Sequence, residues 1–246
     1  MRLRERVALI TGAGGDLGRG MALRFAEEGA KVVVNDKNLA KAQETVDLVT
    51  KKGGVAEPNG SDLTKAEEVK EMVGQVIREW GRLDILVNNA GDIRDALLTK
   101  MSDEDWDFVV DLNLKASFLC ARAVAPHMIE RGYGKIVNIS SMAYKGNIGQ
   151  ANYVAAKAGV VGLTQALGLE LARYGINVNC VAPGLIDTPK ARTLDEKVLD
   201  ILVKKTPMKR MGEIIDIANP VLFLVSDESK YITRQTIHVS GGMEGF

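Results

Sequence analysis

Short β-branched runs alternate with longer segments of helical period along the whole of this chain, and few folds accommodate that alternation. Residues 6–10, 31–35, 85–88, 135–139, 177–181 and 236–239 read as strands. Their near-continuous Val and Ile content suits strands buried on both faces of a parallel sheet. Between them, 17–28, 39–51, 65–80, 103–131, 151–174 and 213–225 carry apolar residues at helical spacing. The pattern predicts an α/β fold, a doubly wound parallel sheet of about seven strands with helices on both faces. A length of 246 residues suits one domain spanning 1–246, without repeat or linker. The third strand, at 55–59, is short: Pro58 removes a ladder donor and Gly60 weakens the run, which places it at a sheet edge. Residues 183–207 have prolines at their start and a polar middle, and read as a substrate-covering loop, partly helical around 195–204.

Composition narrows the function. Lys plus Arg and Asp plus Glu are both 32, so no basic bias suggests nucleic acid. No apolar run reaches the ~18 residues of a membrane span, and Met-Arg-Leu-Arg-Glu-Arg lacks a signal-peptide core. Cys120 and Cys180 lie in apolar segments and read as small buried hydrophobes in a reduced cytoplasm. His127 and His238 have no ligand-spaced partners, so no metal site is expected.

The first strand runs into Thr11-Gly12-Ala13-Gly14-Gly15-Asp16-Leu17-Gly18 and then a helix. Glycines at a strand-to-helix turn let backbone amides and the positive helix end face a pyrophosphate. Asp36 ends the second strand, where a carboxylate accepts hydrogen bonds from ribose hydroxyls and repels a 2′-phosphate. The Lys37 ammonium is placed to reach such a phosphate instead. NAD(H) is the expected cofactor, with NADP(H) as the alternative. Asp62, followed by Leu63, comes after the third strand, placed either to contact the adenine amine or to cap the next helix. Both residues are counted on the cofactor side.

Tyr153 and Lys157 stand four apart in Tyr-Val-Ala-Ala-Lys, so on a helix they share a face. A positive charge at ~4 Å and an effective dielectric of ~20 is worth about 4 kcal/mol, roughly three pKa units. The pair is therefore expected to bring the phenol toward neutrality, where general acid–base chemistry works best.

With Asn88-Asn89-Ala90-Gly91, Asn113 in Asp-Leu-Asn-Leu, Asn138-Ile139-Ser140-Ser141 and Pro183-Gly184 with Thr188, the whole chain resembles the short-chain dehydrogenase/reductases, of Rossmann-type fold. The resemblance implies that Tyr153 is the acid–base residue, and that Lys157 lowers its pKa and holds the nicotinamide ribose. It makes Ser141 the partner of the substrate oxygen, with Ser140 as the alternative, and gives Asn113 a water that connects Lys157 to solvent. Asn89, Ala90 and Gly91 would line the adenosine and ribose side. Pro183, Gly184, Ile186 and Thr188 would shape the nicotinamide pocket, and Gln150 would face substrate.

Within the family, residues 88–98, Met101 with Trp106, and 149–153 resemble the 3-oxoacyl thioester reductases. This implies interconversion of a 3-oxoacyl and a 3-hydroxyacyl thioester. The alternatives are another secondary alcohol (polyol, cyclic alcohol or steroid) or a non-catalytic dinucleotide-binding redox sensor. The chain departs from the family at Asp16, at Arg234 and at Ser240, which replace glycine, glycine and aspartate. Arg131 and Arg173 are displaced by one position from the subgroup's carrier-protein contacts, which puts acyl carrier protein docking in doubt. Apolar and small residues beyond the needs of one sheet face (Ala155, Ala156, Ala158, Gly159, Gly162) permit close helix approach, and the resemblance, to proteins that pair these helices in dimers associating into tetramers, implies a homotetramer.

Overall fold

The computed structural model describes residues 1–245. Among them, seven strands form one sheet: β1 (Val7–Thr11), β2 (Lys31–Asn35), β3 (Val55–Asn59), β4 (Ile85–Asn88), β5 (Gly134–Ile139), β6 (Ile176–Pro183) and β7 (Thr236–Val239). Their order is β3-β2-β1-β4-β5-β6-β7 and every pairing is parallel. β3 is the edge strand, and Pro58 sits opposite Val34 in its register.

Alternate strand residues feed two separate cores. Ala8, Ile10, Val32, Val34, Ile85 and Val87 face one way, against helices α1 (Asp16–Glu27), α2 (Leu39–Lys51) and a later helix over Ile214–Val225. Val7, Leu9, Val33, Leu86, Ile136 and Val178 face the other way, against α3 (Ala66–Trp80) and the long helices that follow. Burying each such Val, Leu or Ile is worth about 1.5–3 kcal/mol. Apolar burial on both faces thus explains the unbroken apolar strands.

The segment read as one helix over 103–131 is three pieces: α4 (Asp103–Val110), a π-turn (Asp111–Lys115) and α5 (Ala116–Arg131). Asn113 sits in the wide turn. Its Nδ2 donates to Val109 O (2.9 Å) and, across to the loop after β4, to Asp92 O (2.8 Å). A side chain entering the helical ladder in this way widens it, and such turns gather at functional sites. The next helix, α6 (Ala151–Leu171), is long and apolar enough to cross a membrane by composition alone. Its inner face nevertheless buries Asn152, Lys157 and Thr164 in the protein. Residues beyond β6 form α7 (Glu196–Lys205) and then α8 (Ile214–Val225).

Arg234, where the family has glycine, holds φ at +62°, in the left-handed region. Its amide donates to Val178 O (2.8 Å), and its carbonyl accepts from Gln165 Nε2 (2.6 Å). A non-glycine residue there costs ~1–2 kcal/mol, offset in part by the entropy that glycine loses on folding. Arg234→Gly is therefore expected to stabilise the fold by ~0.5–1 kcal/mol, raising Tm by about 2 °C. A lower Tm in a calorimetric scan would show that the Arg234 side chain contributes more than its backbone costs.

Candidate active site

The β1–α1 turn is tied to the end of β4. Thr11 Oγ1 accepts from the amides of Asn89 (2.9 Å) and Ala90 (3.0 Å), and Asn89 Nδ2 donates to Thr11 O (2.9 Å). Gly12 takes φ +61°, and a methyl group on it would lie 2.8 Å from Ala90 Cα. One on Gly18 would lie 2.6 Å from Gly12 O, so the turn closes on itself only with glycine. Gly15 is exposed and precedes α1 without a side-chain cap. The first-turn amides of Asp16, Leu17 and Gly18 are thus left for an anion, as a diphosphate requires. Asp16 is the first residue of α1 and holds an ordinary helical backbone.

Asp36 sits beside this turn. Its Oδ2 accepts from Gly14 N (3.2 Å) and its Oδ1 from Asn38 N (2.9 Å). Asp62 does not cap α3, whose N-cap is Lys65. Its Oδ1 instead accepts from Thr64 N and Oγ1, and its Oδ2 from Lys37 Nζ (2.8 Å). Burial raises the Asp62 pKa, but the bonds from Lys37 and Thr64 outweigh it and bring it to about 2. The Leu63 side chain packs in the core with Val69 and Met72, which leaves only its backbone for a cofactor. The pairing of Lys37 with Asp62 is a tertiary contact between the segments that follow β2 and β3.

At the other end, Tyr153, Lys157 and Ser141 meet. Lys157 is buried and its ammonium lies 5.5 Å from the centre of the Tyr153 ring. Its hydrogen bond runs to Ile139 O (2.9 Å), not to the phenol. The expected depression of the tyrosine pKa does not occur. Burial pushes the phenol up to about 12, against a hydrogen bond from Ser141 and with a push upward from Asp95 and Asp92. Burial likewise lowers the Lys157 pKa to about 8. Desolvation wins because the ammonium is aimed at the carbonyl.

Ser140 and Ser141 separate by hydrogen bonding. Ser140 Oγ donates to Lys157 O (2.9 Å) and anchors α6 to β5, whereas Ser141 Oγ accepts from Ala143 N and neighbours the phenol. Asn113 Oδ1 is buried without a protein partner. A methyl group on Gly91 would strike that oxygen and lie 3.3 Å from Lys157 Nζ, so glycine keeps the path between them open.

Ser140, Ser141, Tyr153 and Lys157 form the polar corner of a cavity of about 720 Å³. Leu17, Asn89, Gly91, Pro183, Gly184, Ile186 and Thr188 line it, and Gln150 holds its rim through Asp95 (3.0 Å). Asp36, Lys37 and Asp62 lie beyond it, at the ends of β2 and β3. Ile93, Ile148, Leu185 and the α7 residues Val198, Ile201 and Leu202 supply apolar walls that motif reading did not single out. The Lys190–Asp92 ion pair (2.7 Å) ties the segment after β6 to the loop after β4. Cys120 and Cys180 are buried and unpaired, their thiols pushed up by burial to about 12 and about 11.

A family model described as enoyl-(acyl carrier protein) reductase matches residues 12–244. The chain is 48% identical over its whole length to the (2S)-[(R)-hydroxy(phenyl)methyl]succinyl-CoA dehydrogenase subunit BbsD of Thauera aromatica, covering 99% of that protein. It is 47% identical to a 3-oxoacyl-[acyl-carrier-protein] reductase of Staphylococcus epidermidis, over 97% of this chain and 99% of that one. The chain belongs to the short-chain dehydrogenase/reductases. As a member of that family it is an NAD(P)-dependent oxidoreductase acting on CH–OH groups. The crystal structure of levodione reductase superposes on this member with a TM-score of 0.95 at 34% identity, covering 99% of both chains.

Proposed function

We propose that this enzyme prefers NAD(H) and interconverts a 3-oxoacyl and a 3-hydroxyacyl thioester. The cavity carries the reading: Ser141, Tyr153 and Lys157 meet at one corner, and the side toward α7 presents Leu194, Val198, Ile201 and Leu202. An oxygen at the acyl C3 would meet Ser141 and Tyr153 there, with the chain along the apolar wall. The names of the Thauera and Staphylococcus relatives, both thioester enzymes, support the same substrate class. The residues 183–207 are the cover over this substrate.

A bound nicotinamide supplies or accepts the hydride. The protein's own work is at the oxygen. Tyr153, kept neutral by burial, holds the proton that a forming alkoxide takes, since an alkoxide is the stronger base. Ser141 fixes the oxygen's position, and Lys157 and Asn113 lie on the route by which the phenol regains its proton. The second reading is a cyclic secondary alcohol, favoured by the likeness to levodione reductase.

Asp36 should set the cofactor choice. A 2′-phosphate against this carboxylate costs about 1 kcal/mol in water and about 4 kcal/mol at an effective dielectric of ~20. With acetoacetyl-CoA, kcat/KM is expected to favour NADH over NADPH by about tenfold or more, and Asp36→Ala to erase the difference. A wild type that prefers NADPH tenfold would overturn the cofactor assignment. No turnover of acetoacetyl-CoA alongside turnover of a cyclic ketone would overturn the substrate.

The assembly we propose is a homotetramer. Ala155, Ala158, Gly162, Ala166 and Leu169 form an exposed stripe on α6, whereas Ala156 is buried and Gly159 packs on Leu114. Small side chains let a second helix approach closely. Light scattering should give four times the 26.6 kDa of the chain, and a mass of 26.6 kDa would refute it. Arg131 and Arg173 lie at the C-terminal ends of the long helices, just before β5 and β6, whereas the cavity lies beyond the other ends of those strands. Carrier-protein docking therefore forms no part of the proposal.

A further inference from the structure

β2 and β3 end in register, Asn35 beside Asn59, so the segments that follow them face each other across the sheet edge. The Asp36 carboxylate is held by two backbone amides, those of Gly14 and Asn38. The neighbouring Lys37 side chain is 78% exposed, yet its ammonium is drawn to Asp62, which is only 13% exposed. Asp62 is itself fixed by two bonds from Thr64. The carboxylate is therefore the rigid half of the pair and the lysine the movable half. Arg19, the cation in the first turn of α1, is likewise engaged, with Gly14 O (3.0 Å), Thr45 Oγ1 (3.1 Å) and Glu44 (3.2 Å).

We propose that Asp62 is a positioning residue for cofactor choice, acting through Lys37. By holding that ammonium 2.8 Å from its Oδ2, it withholds from a 2′-phosphate the cation adjacent in sequence to Asp36. Selectivity at this strand end then has two parts, repulsion by Asp36 and capture of Lys37 by Asp62. A phosphate recruiting Lys37 must break an ion pair whose carboxylate is shielded from water, so the lysine offsets little of the repulsion. This rests on the NAD(H) reading above, and the test keeps the two apart.

Binding of adenosine 2′,5′-bisphosphate and of ADP is measured by calorimetry on the full-length protein as wild type, Asp62→Asn, Lys37→Met and the double variant. Asparagine keeps the acceptor that Thr64 uses and loses the charge that holds Lys37. In Asp62→Asn, affinity for the bisphosphate relative to ADP is expected to rise about fivefold, the worth of one released surface ammonium. Lys37→Met alone should change that ratio by less than about twofold, because the charge it removes is already engaged. In the double variant the gain should vanish, which is the coupling a cycle isolates. Loss of one negative charge near the site would instead leave the gain intact without Lys37, and that result overturns the proposal. So does a ratio that falls severalfold in Lys37→Met alone, an arm that needs no Asp62 variant to fold. A wild type that binds the bisphosphate more tightly than ADP defeats the NAD(H) reading, while the cycle still reads the coupling.

Discussion

Tyr153→Phe is expected to lower kcat by ~10²–10⁴-fold while the dissociation constant for NADH changes by less than about threefold. The substitution removes one oxygen and leaves the ring in place, still beside Lys157 at the polar corner. What disappears is the proton held near the substrate oxygen. Burial keeps that phenol neutral, with a pKa pushed up to about 12, so in the direction of ketone reduction the donor is loaded across the physiological range. Reduction by the wild type should therefore show no loss of rate between pH 6 and 8 that traces to Tyr153. Steady-state kinetics on the variant, with NADH binding followed by fluorescence, separates the two effects. A Tyr153→Phe enzyme that keeps more than a few per cent of wild-type turnover would show that another group delivers the proton.

Much of the architecture was legible because apolar alternation reports directly on burial. Pro58 and Gly60 mark β3 as an edge strand, and it lies there. Strand ends moved by a residue or two, as at β6, which runs through Pro183. The π-turn was not visible in the apolar spacing of residues 103–131. Its cause is a tertiary bond from Asn113 to Asp92 O. The site followed the same division. Glycines at positive φ or in close contact announce themselves by type, and Gly12 and Gly18 sit where only glycine fits. Charges do not, since their partners come from distant segments. Lys37 looked free until β2 and β3 brought Asp62 to it, and the Tyr153–Lys157 pair looked like mutual activation until burial was known. Helical spacing puts two residues on one face; it does not say where an ammonium points.

Lys157→Met should abolish activity and yet make the protein more stable at neutral pH. The ammonium is buried, and its pKa lies at about 8 against an ordinary 10.5, lowered by desolvation. Below pH 8 both folded and unfolded chains carry the proton, and the folded state bears the full cost of burying the charge. The shift of 10.5 − 8 is about 2.5 units, or roughly 3 kcal/mol at 1.36 kcal/mol per unit. Between pH 8 and 10.5 the unfolded chain binds more protons than the folded one, so wild-type stability gains from this residue as pH rises. Methionine has a similar length and no charge, and it leaves Ile139 O without its donor at a cost of ~1 kcal/mol. The net expectation at pH 7 is a gain of ~2 kcal/mol, a rise of roughly 4–8 °C in Tm for a chain of this size. The gap to wild type should shrink as the melting buffer is taken toward pH 10, because the wild-type lysine sheds its penalty there and methionine has none to shed. A variant that melts below wild type by the same margin at every pH would mean that the ammonium is an anchor for the fold. A stabilised, inactive variant would mean that the chain keeps this lysine for its chemistry, at the expense of the fold that buries it.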